Sequence, residues 1–331
     1  MARRLTDRQK ERIQKIQERR RQRLEERAEA TLEGSDDQPL EGRIIARHGA
    51  NLAVADSAGN IHLCLSRQNL GHPVCGDRVV WHATEAGHGV ITALLPRSTE
   101  LSRPDYSGRE KPLAANITQL IVVLAPEPEP CEYLIDQYLV AAEKIGVKVL
   151  IALNKIDLLD ERAAAQMKQR LALYEAIGYP VVAISAKRSD GLTPLIERLQ
   201  GETNILVGQS GVGKSSLIKA LLPSLEIQIG RLSEATGLGR HTTSATTCYT
   251  LPEGGDLIDS PGVRSFRLGT IDPKQLEWGF REFRPYLGHC KFSDCSHQVE
   301  PGCALKRAIK DGKITQQRFD NCLHIRNNLP K

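Results

Sequence analysis

Residues 208–216 read GQSGVGKSS, in which glycine, lysine and serine have the spacing of a phosphate-binding loop. An apolar run precedes this segment and a helix-forming run follows it, which is the context that the motif requires. We expect backbone N–H groups from Ser210 to Lys214 to point at phosphates, Lys214 to neutralise charge on the β- and γ-phosphates, and the Ser215 hydroxyl to bind Mg²⁺. The predicted phosphate-binding residues are Gly208, Gln209, Ser210, Gly211, Val212, Gly213, Lys214, Ser215 and Ser216.

The tetrapeptide NKID at 154–157 indicates which base is bound. A carboxylate only accepts hydrogen bonds, so Asp157 can take two from the N1–H and the exocyclic amine of guanine, a donor pair that adenine lacks. Asn154 can bind the N7/O6 edge, and the stem of Lys155 can lie along the ring. The tripeptide SAK at 185–187 supplies the N–H of Ala186 to the base carbonyl. The predicted base-binding residues are Asn154, Lys155, Asp157, Ser185, Ala186 and Lys187.

The tetrapeptide DSPG, which begins at Asp259, follows a short apolar strand. Asp259 at the end of that strand can hold the Mg²⁺ shell, and the N–H of Gly262 can contact a γ-phosphate. The preceding segment GLGRHTTSATT is rich in glycine and hydroxyl residues and has no periodicity, so we expect it to be mobile. Thr243, or as a second choice Thr242, would complete the metal shell when a γ-phosphate is present.

The order of these motifs is unusual, because the base motif and SAK come before the phosphate loop. The ends of a closed domain lie near one another, so a chain can be cut at one surface loop and rejoined at another without changing the packing. The order therefore predicts a circularly permuted GTPase. Its consequence is mechanical: the segment after DSPG, from Val263 to Phe266, leads directly into the C-terminal region. We expect GTP to set the angle of that region.

A cluster of metal-binding residue types, CKFSDCSHQVEPGC, contains Cys290, Cys295, His297 and Cys303. Three thiolates and one imidazole suit a structural, tetrahedral Zn²⁺ site. His289 and Cys322 are possible substitutes in the ligand set, and free cysteines in a reduced core are the alternative interpretation.

Three patterns of secondary structure follow one another along the chain. Short β-like runs from Gly42 to Leu95 predict a small barrel, OB-like or SH3-like. Strands alternating with helices from Asn116 to Ser260 predict a doubly wound α/β domain, with helices at 132–145, 160–177, 191–200 and 213–222. Apolar residues at helical spacing then predict a small helical core: Leu276, Phe280, Phe283 and Leu287.

Charge is concentrated at the ends of the chain. Residues 1–30 carry 11 Lys and Arg against 6 Asp and Glu, an excess equal to the net charge of +5. Residues 305–331 are also basic, with Arg318 and Arg326 among their cations. Two basic ends favour a polyanionic partner gripped at two places, and a solvated helix face is the alternative for each end. No run approaches the roughly 18 apolar residues of a membrane helix, and no apolar signal core begins the chain, so we expect a cytosolic protein without membrane contact.

The combination of NKID, SAK, GQSGVGKSS, GRHTT, DSPG and the Cys/His cluster closely resembles the bacterial ribosome small subunit-dependent GTPase A family. The resemblance covers about residues 40–330. It implies a circularly permuted P-loop GTPase domain with an N-terminal OB-fold barrel that contacts rRNA and a C-terminal helical zinc-binding domain with one zinc ion. It also implies monomeric action in late maturation of the small ribosomal subunit, with hydrolysis stimulated by that subunit. The predicted parts are a basic mobile tail and linker, the OB-fold, the GTPase domain and the zinc-binding domain, at 1–37, 38–100, 101–270 and 271–331.

Val263 follows DSPG, where Ras-like enzymes carry a glutamine that positions water. The hydrocarbon side chain of valine cannot position water, so we expect slow intrinsic hydrolysis of GTP. Another group must then position the water. His241 is the candidate, and a loop histidine without a chemical role is the alternative. At the level of function the alternative is a GTP-gated RNA-binding module or chaperone whose hydrolysis is incidental.

Overall fold

The computed structural model describes residues 38–48, 51–67, 70–84, 87–104, 109–188, 191–236, 246–260 and 271–329. The chain divides into two compact units, Met1–Ser98 with Ser224–Cys248 and Thr99–Pro223 with Tyr249–Lys331. The first unit therefore includes a segment from the middle of the region predicted to form the GTPase domain. The predicted four-part division itself remains a proposal.

The first unit contains a five-stranded barrel. Its strands are β1 (Leu40–His48), β2 (Asn51–Ala55), β3 (Ile61–Ser66), β4 (Arg78–Ala83) and β5 (His88–Leu94). Strand β1 pairs antiparallel with both β2 and β4, β2 with β3, and β4 with β5, while β3 and β5 are parallel. These pairings close the sheet, with a register shift between Ile44 and Ala46 of β1 in its pairing with β2. The barrel is OB-like, which decides between the two predicted barrel types.

Alternating side chains fill the barrel, as the two-residue period of a strand requires. Trp81 at its centre is 1% exposed. The other buried members of this core are Ile44, Leu52, Val54, Cys64, Val79 and Ile91.

The second unit contains a parallel sheet. Its strands are β8 (Gln119–Leu124), β9 (Lys148–Leu153), β10 (Val181–Ala183), β11 (Thr203–Val207) and β13 (Asp256–Asp259), after a separate hairpin of β6 (Glu100–Pro104) and β7 (Glu110–Ala115). The order is β10-β9-β8-β11-β13, with every neighbouring pair parallel, and β12 (Thr247–Thr250) lies beside β13. All six residues of β8 are buried because this strand is central and covered on both faces.

The helices of this sheet confirm the predicted alternation. They are α1 (Glu132–Ile145), α2 (Glu161–Ala176), α3 (Thr193–Leu199) and α4 (Lys214–Leu221). Gly146 ends α1 in the left-handed conformation. Asp160 begins α2 by accepting a hydrogen bond from the N–H of Ala163 at 2.7 Å.

The sequence did not indicate the next helix, α5 (Leu225–Thr236), which belongs to the first unit. Leu232 of α5 packs in a small cluster with Ala46 and Ala53 of the barrel strands. The residues that precede the GRHTT motif in the chain are thus packed on the barrel.

The C-terminal residues form three short helices, α6 (Pro273–Trp278), α7 (Ala304–Lys310) and α8 (Gln316–Asn327). A 3-10 helix at Arg281–Tyr286 follows α6, so the predicted apolar stripe is divided between two helices. Pro285 lacks the N–H that a longer α-helix needs. The stacked rings of Phe280 and Phe283, with centroids 4.8 Å apart, still form the core. Among the described helices, none combines the length and the apolar composition needed to span a bilayer.

Candidate functional site

The sequence-predicted motifs meet at the carboxyl ends of the parallel strands. The phosphate loop follows β11, NKID follows β9, SAK follows β10, and Asp259 is the last residue of β13. The carboxyl edge of such a sheet is where α/β proteins bind ligands. The structure therefore brings together four segments that are far apart in the chain.

One buried amide joins three of these segments. The Asn154 side chain, 1% exposed, donates to the carbonyl of Val212 at 3.0 Å and accepts from the N–H of Ala186 at 3.3 Å. Gly213 has φ 96°, and a Cβ there would lie 2.4 Å from Asn154 Nδ2. The phosphate loop approaches the base motif this closely because residue 213 has no side chain.

The phosphate loop is held by its own lysine. Lys214 is buried, and its Nζ donates to the carbonyls of Gly208 and Gln209, both at 2.6 Å. Lys214 is also the first residue of α4, so the N–H groups of the loop lie at a helix N-terminus, where anions bind. Four of the predicted phosphate-binding residues are exposed: Ser210, Gly211, Ser215 and Ser216.

The base motif is held in an ionised state. Ser185 Oγ donates to Asp157 at 2.6 Å, and Lys187 Nζ lies 3.7 Å from the same carboxylate. The Ser185 hydrogen bond, aided by the charges of Lys187 and Arg188, lowers the pKa of Asp157. At neutral pH this carboxylate can only accept hydrogen bonds, as the predicted contact with guanine requires.

Lys155 lies in the left-handed region with φ 63°, and its Nζ donates to the carbonyl of Glu127 at 2.8 Å. The base motif thereby contacts the loop that precedes α1. From α1 itself, the hydroxyl of the buried Tyr138 bonds to the backbone of Gly208. Sequence reasoning missed both Glu127 and Tyr138, since periodicity shows only that Tyr138 is on the buried face.

Two of the three predicted magnesium ligands, Ser215 and Asp259, are among the residues that the structure describes. Asp259 is half-buried at the end of β13, and Ser215 is exposed in the first turn of α4. Hydroxyl and carboxylate oxygens are the donors that Mg²⁺ takes beside phosphates, so these two residues fit the ion. Thr243, Thr242, His241, Gly262 and Val263 lie outside the described residues.

The predicted zinc ligands converge. One ligand atom from each of Cys290, Cys295, His297 and Cys303 lies within 4.8 Å of the other three. His297 Nδ1 is 3.2 Å from Cys303 Sγ and 3.6 Å from Cys290 Sγ, which are 4.0 Å apart. Ligands on a tetrahedral zinc, with bonds of about 2.0–2.3 Å, are separated by roughly 3.5–3.8 Å. The cluster could hold a metal ion of that geometry.

The carboxylate of Glu277 lies beside this cluster. His297 Nε2 lies 3.3 Å from Glu277 on α6, so Nδ1 is the ring nitrogen that faces the thiols. Glu277, with a smaller contribution from Cys303, raises the pKa of His297 to about 9, and metal binding would therefore release a proton. Within the described ranges the candidate metal group comprises only the four predicted residues, without His289 or Cys322.

The C-terminal basic segment is only partly available to a polyanion. Arg318 is 1% exposed and pairs with Asp136 and Glu282. Arg326 donates to the carbonyl of Ser296 at 2.8 Å. Arg318 is therefore not available to a polyanion, because it is an internal partner of two carboxylates.

These features define the class of the protein as a circularly permuted GTPase with an N-terminal OB-like barrel and a C-terminal Cys/His cluster. The model of the RsgA GTPase family matches residues 94–269. The chain belongs to this family, and it is a GTP-hydrolysing enzyme.

Similar proteins extend the match to most of the chain. Proteins named small ribosomal subunit biogenesis GTPase RsgA are 48% identical over 293 residues in Pseudomonas fluorescens Pf-5 and 48% identical over 294 residues in Azotobacter vinelandii. These alignments cover 87% and 88% of this chain and 85% and 86% of the relatives. The crystal structure of YjeQ from Thermotoga maritima is 32% identical with a TM-score of 0.71, covering 87% of this chain and 97% of that one. The crystal structure of YloQ, described as a circularly permuted GTPase, is 29% identical with a TM-score of 0.69, covering 89% and 97%.

Proposed function

We propose that this GTPase acts in late maturation of the small ribosomal subunit, that it binds rRNA, and that the subunit stimulates its hydrolysis of GTP. The names of the relatives that align with most of the chain support the biological setting. The single observation that carries the chemistry is the Asn154 amide, which joins the base motif, SAK and the phosphate loop into one site. We further propose a cytoplasmic monomer that does not contact membranes.

Each part of the nucleotide site has a proposed task. Asp157 selects guanine, Asn154 and Ala186 complete the base pocket, and the N–H groups from Ser210 to Lys214 bind phosphate. The ordered contacts of Lys214 with its own loop support the last of these, because they hold the loop in one conformation. A preformed site avoids the cost of ordering the loop when nucleotide binds.

For hydrolysis, Ser215, Asp259 and Thr243 are the proposed holders of Mg²⁺, which supplies charge neutralisation on the phosphates when bound. Lys214 and the N–H of Gly262 stabilise charge on the γ-phosphate. Val263 cannot orient water, and His241 is the proposed substitute, ordered when the protein docks on the subunit.

The Cys/His cluster has a structural role in this proposal, holding one Zn²⁺ per chain. All four predicted ligands are protein groups, so the ion would have no open position for a substrate. A metal ion held by the cluster would fix the knuckle (residues 290–303) against the helices around it. The ion would take no part in nucleotide binding.

The decisive measurement is GTP turnover by the purified protein with small subunits, with large subunits, and with neither. We expect a stimulation of orders of magnitude by small subunits alone. Equal stimulation by large subunits would show that the proposed partner is wrong. Tight small-subunit binding without stimulation would favour the RNA-binding module whose hydrolysis is incidental.

A further inference from the structure

A proline-rich loop lies beside the nucleotide site. This PEPEP loop (residues 126–130) joins β8 to α1. A Cβ added to Gly211 of the phosphate loop would lie 3.5 Å from Pro128 Cδ, which is an ordinary contact distance. The carbonyl of Glu127 accepts a hydrogen bond from Lys155 Nζ of the base motif at 2.8 Å. The PEPEP loop therefore lies against the phosphate loop and also contacts the base motif.

The side chain of Lys155 runs between the PEPEP loop and the phosphate loop. Its Cε lies 3.8 Å from the position that a Cβ on Gly213 would take, and its Nζ is held by the Glu127 carbonyl. A lysine side chain has many rotamers, and fixing it in one of them costs entropy. Because the protein itself holds the end of this side chain, binding of a base need not order the stem that is proposed to lie along the guanine ring.

The PEPEP loop can do little to fix its own conformation. Three of its five residues are prolines, which have no N–H, so few backbone hydrogen bonds are open to it. Glu127, Pro128 and Glu129 are exposed. Segments with few hydrogen bonds and exposed side chains are the more mobile parts of a fold. A group outside the loop must therefore hold it where the Glu127 carbonyl meets Lys155.

Arg170 of α2 supplies this support. Its guanidinium group donates to the carbonyl of Pro130 at 2.6 Å and to the carboxylate of Glu129 at 2.7 Å. Its Nε donates to Glu132 in the first turn of α1. The guanidinium group offers its donors in one rigid plane, so a single residue fixes the end of the loop relative to α1.

The nucleotide-binding motifs of the sequence do not include Arg170. Its side chain is 30% exposed, and the three groups that accept its hydrogen bonds lie in the PEPEP loop and in α1. None of these acceptors belongs to NKID, SAK or the phosphate loop. An effect of Arg170 on nucleotide binding is therefore transmitted by the PEPEP loop.

We propose that Arg170 is a positioning residue for the guanine base. It holds the PEPEP loop in the conformation in which the Glu127 carbonyl fixes the stem of Lys155 beside the base. This inference rests on the proposed role of Lys155 in base binding and deepens it, because it identifies what sets the position of that side chain.

The test compares GDP with pyrophosphate, which can occupy the phosphate loop but carries no base. The full chain is used with Mg²⁺ present, and both affinities are measured by competition with a fluorescent guanine nucleotide. Arg170→Gln should weaken GDP binding about 2- to 12-fold, the factor expected when one side chain with many rotamers must be ordered on binding. Pyrophosphate affinity should stay unchanged, which also shows that the variant is folded. Arg170→Lys should lose less GDP affinity, because the ammonium group keeps the charge but not the planar set of donors.

Arg281→Gln is the matched control. The side chain of Arg281 is 31% exposed, pairs with Glu143 of α1 at 2.7 Å, and donates to the carbonyl of Gly178 at 2.8 Å. It therefore resembles Arg170 in exposure and in having a carboxylate of α1 and a backbone carbonyl as partners. Neither of these partners belongs to a nucleotide-binding segment, so Arg281→Gln should bind GDP like the unchanged protein.

A double-mutant cycle separates positioning from a general structural role. Lys155→Ala removes the side chain through which Arg170 is proposed to act, and it should weaken GDP binding. Adding Arg170→Gln to Lys155→Ala should then cause no further loss, since changes that act through one contact are not additive. A purely structural role of Arg170 would give additive losses and equal effects on GDP and pyrophosphate.

Four results would overturn the proposal: unchanged GDP affinity of Arg170→Gln, an equal loss of its pyrophosphate affinity, additive losses in the cycle, or an equal loss of GDP affinity in Arg281→Gln. If Arg170→Gln does not fold, Arg170→Lys provides the same comparisons. Normal GDP affinity of Lys155→Ala would contradict the proposed base pocket and this inference together. Failure of the Arg170 variants alone would overturn this inference and leave the pocket intact.

Discussion

Arg318 of α8 and Asp136 of α1 form an ion pair in which both side chains are almost completely buried, at 1% and 0% exposure. Arg318 also donates to Glu282 at 2.6 and 3.0 Å, while Asn321 and Tyr174 donate to Asp136 at 2.7 and 3.1 Å. The C-terminal helices are thereby fixed to the helix whose Tyr138 contacts the phosphate loop. Any GTP-dependent change in the angle of the C-terminal region must either move α1 or break this pair, so the expected hinge after DSPG remains an untested proposal.

Replacing Arg318 by methionine should lower the free energy of unfolding of the C-terminal region by about 3–5 kcal/mol, because the carboxylates of Asp136 and Glu282 would stay buried without a cation. Arg78→Met is the control, since its pair with Glu41 is exposed and should contribute about 0–1 kcal/mol. Urea denaturation monitored by hydrogen exchange compares the two variants. Similar losses of unfolding free energy in both variants would show that burial of the Arg318 pair does not increase its contribution to stability.

Replacing Asp157 by asparagine should shift nucleotide preference from guanosine toward xanthosine nucleotides. Asparagine can donate a hydrogen bond to the additional base carbonyl, whereas the carboxylate held by Ser185 only accepts. Equilibrium binding of GDP, XDP and ADP to both proteins measures the change. Equal affinity of the unchanged protein for ADP and GDP would contradict the assignment of the base pocket.

Glu277→Gln should weaken zinc binding about 10- to 100-fold, the usual cost of removing a carboxylate that orients a histidine ligand. The contact of Glu277 with His297 Nε2 predicts that Nδ1 binds the metal, which ¹⁵N NMR of the histidine ring can detect. Competition with a chromogenic chelator gives the affinities, and Gln275→Ala, an exposed change on the same helix, is the control. If Glu277→Gln bound zinc as tightly as the control, Glu277 would not orient His297 for metal binding.

Thiol reactivity should differ sharply among the cysteines outside the cluster. Burial raises the pKa of Cys64 and of Cys322 to about 12, so both remain neutral thiols at pH 8, and the thiolate is the reactive form. Cys131, half-buried immediately before α1, should be alkylated first. Mass spectrometry after brief iodoacetamide treatment, with and without urea, follows each site. Labelling of Cys64 as rapidly as Cys131 in the native protein would be inconsistent with the buried barrel core.

His241→Ala should retain GTP affinity and small-subunit binding while losing most stimulated turnover, the pattern expected when a contact made only in the transition state is removed. His241 lies outside the described residues, so this prediction comes from the motif and from Val263 alone. Single-turnover hydrolysis on saturating small subunits provides the measurement. If the variant hydrolysed GTP at the normal stimulated rate, His241 would have no role in hydrolysis.

The sequence alone determined the features that depend on neighbouring residues. The phosphate loop, NKID and SAK each occupy a few consecutive positions, and the apolar runs that bury the parallel strands are local as well. The four predicted metal ligands also fall within fourteen residues, so a turn of the chain is enough to assemble them. The order of the motifs along the chain revealed the permutation without any structural information.

Only the tertiary structure decided which distant polar groups become partners. Arg318 and Asp136 are separated by 182 positions, and a basic C-terminal segment gave no sign that one of its arginines is internal. Asn154 likewise meets Val212 across 58 positions, and α5 packs on a barrel strand far from it in sequence. Periodicity records which face of an element is apolar but not which element covers it, because burial depends on topology and each polar group buried there requires a partner that only the fold can bring near.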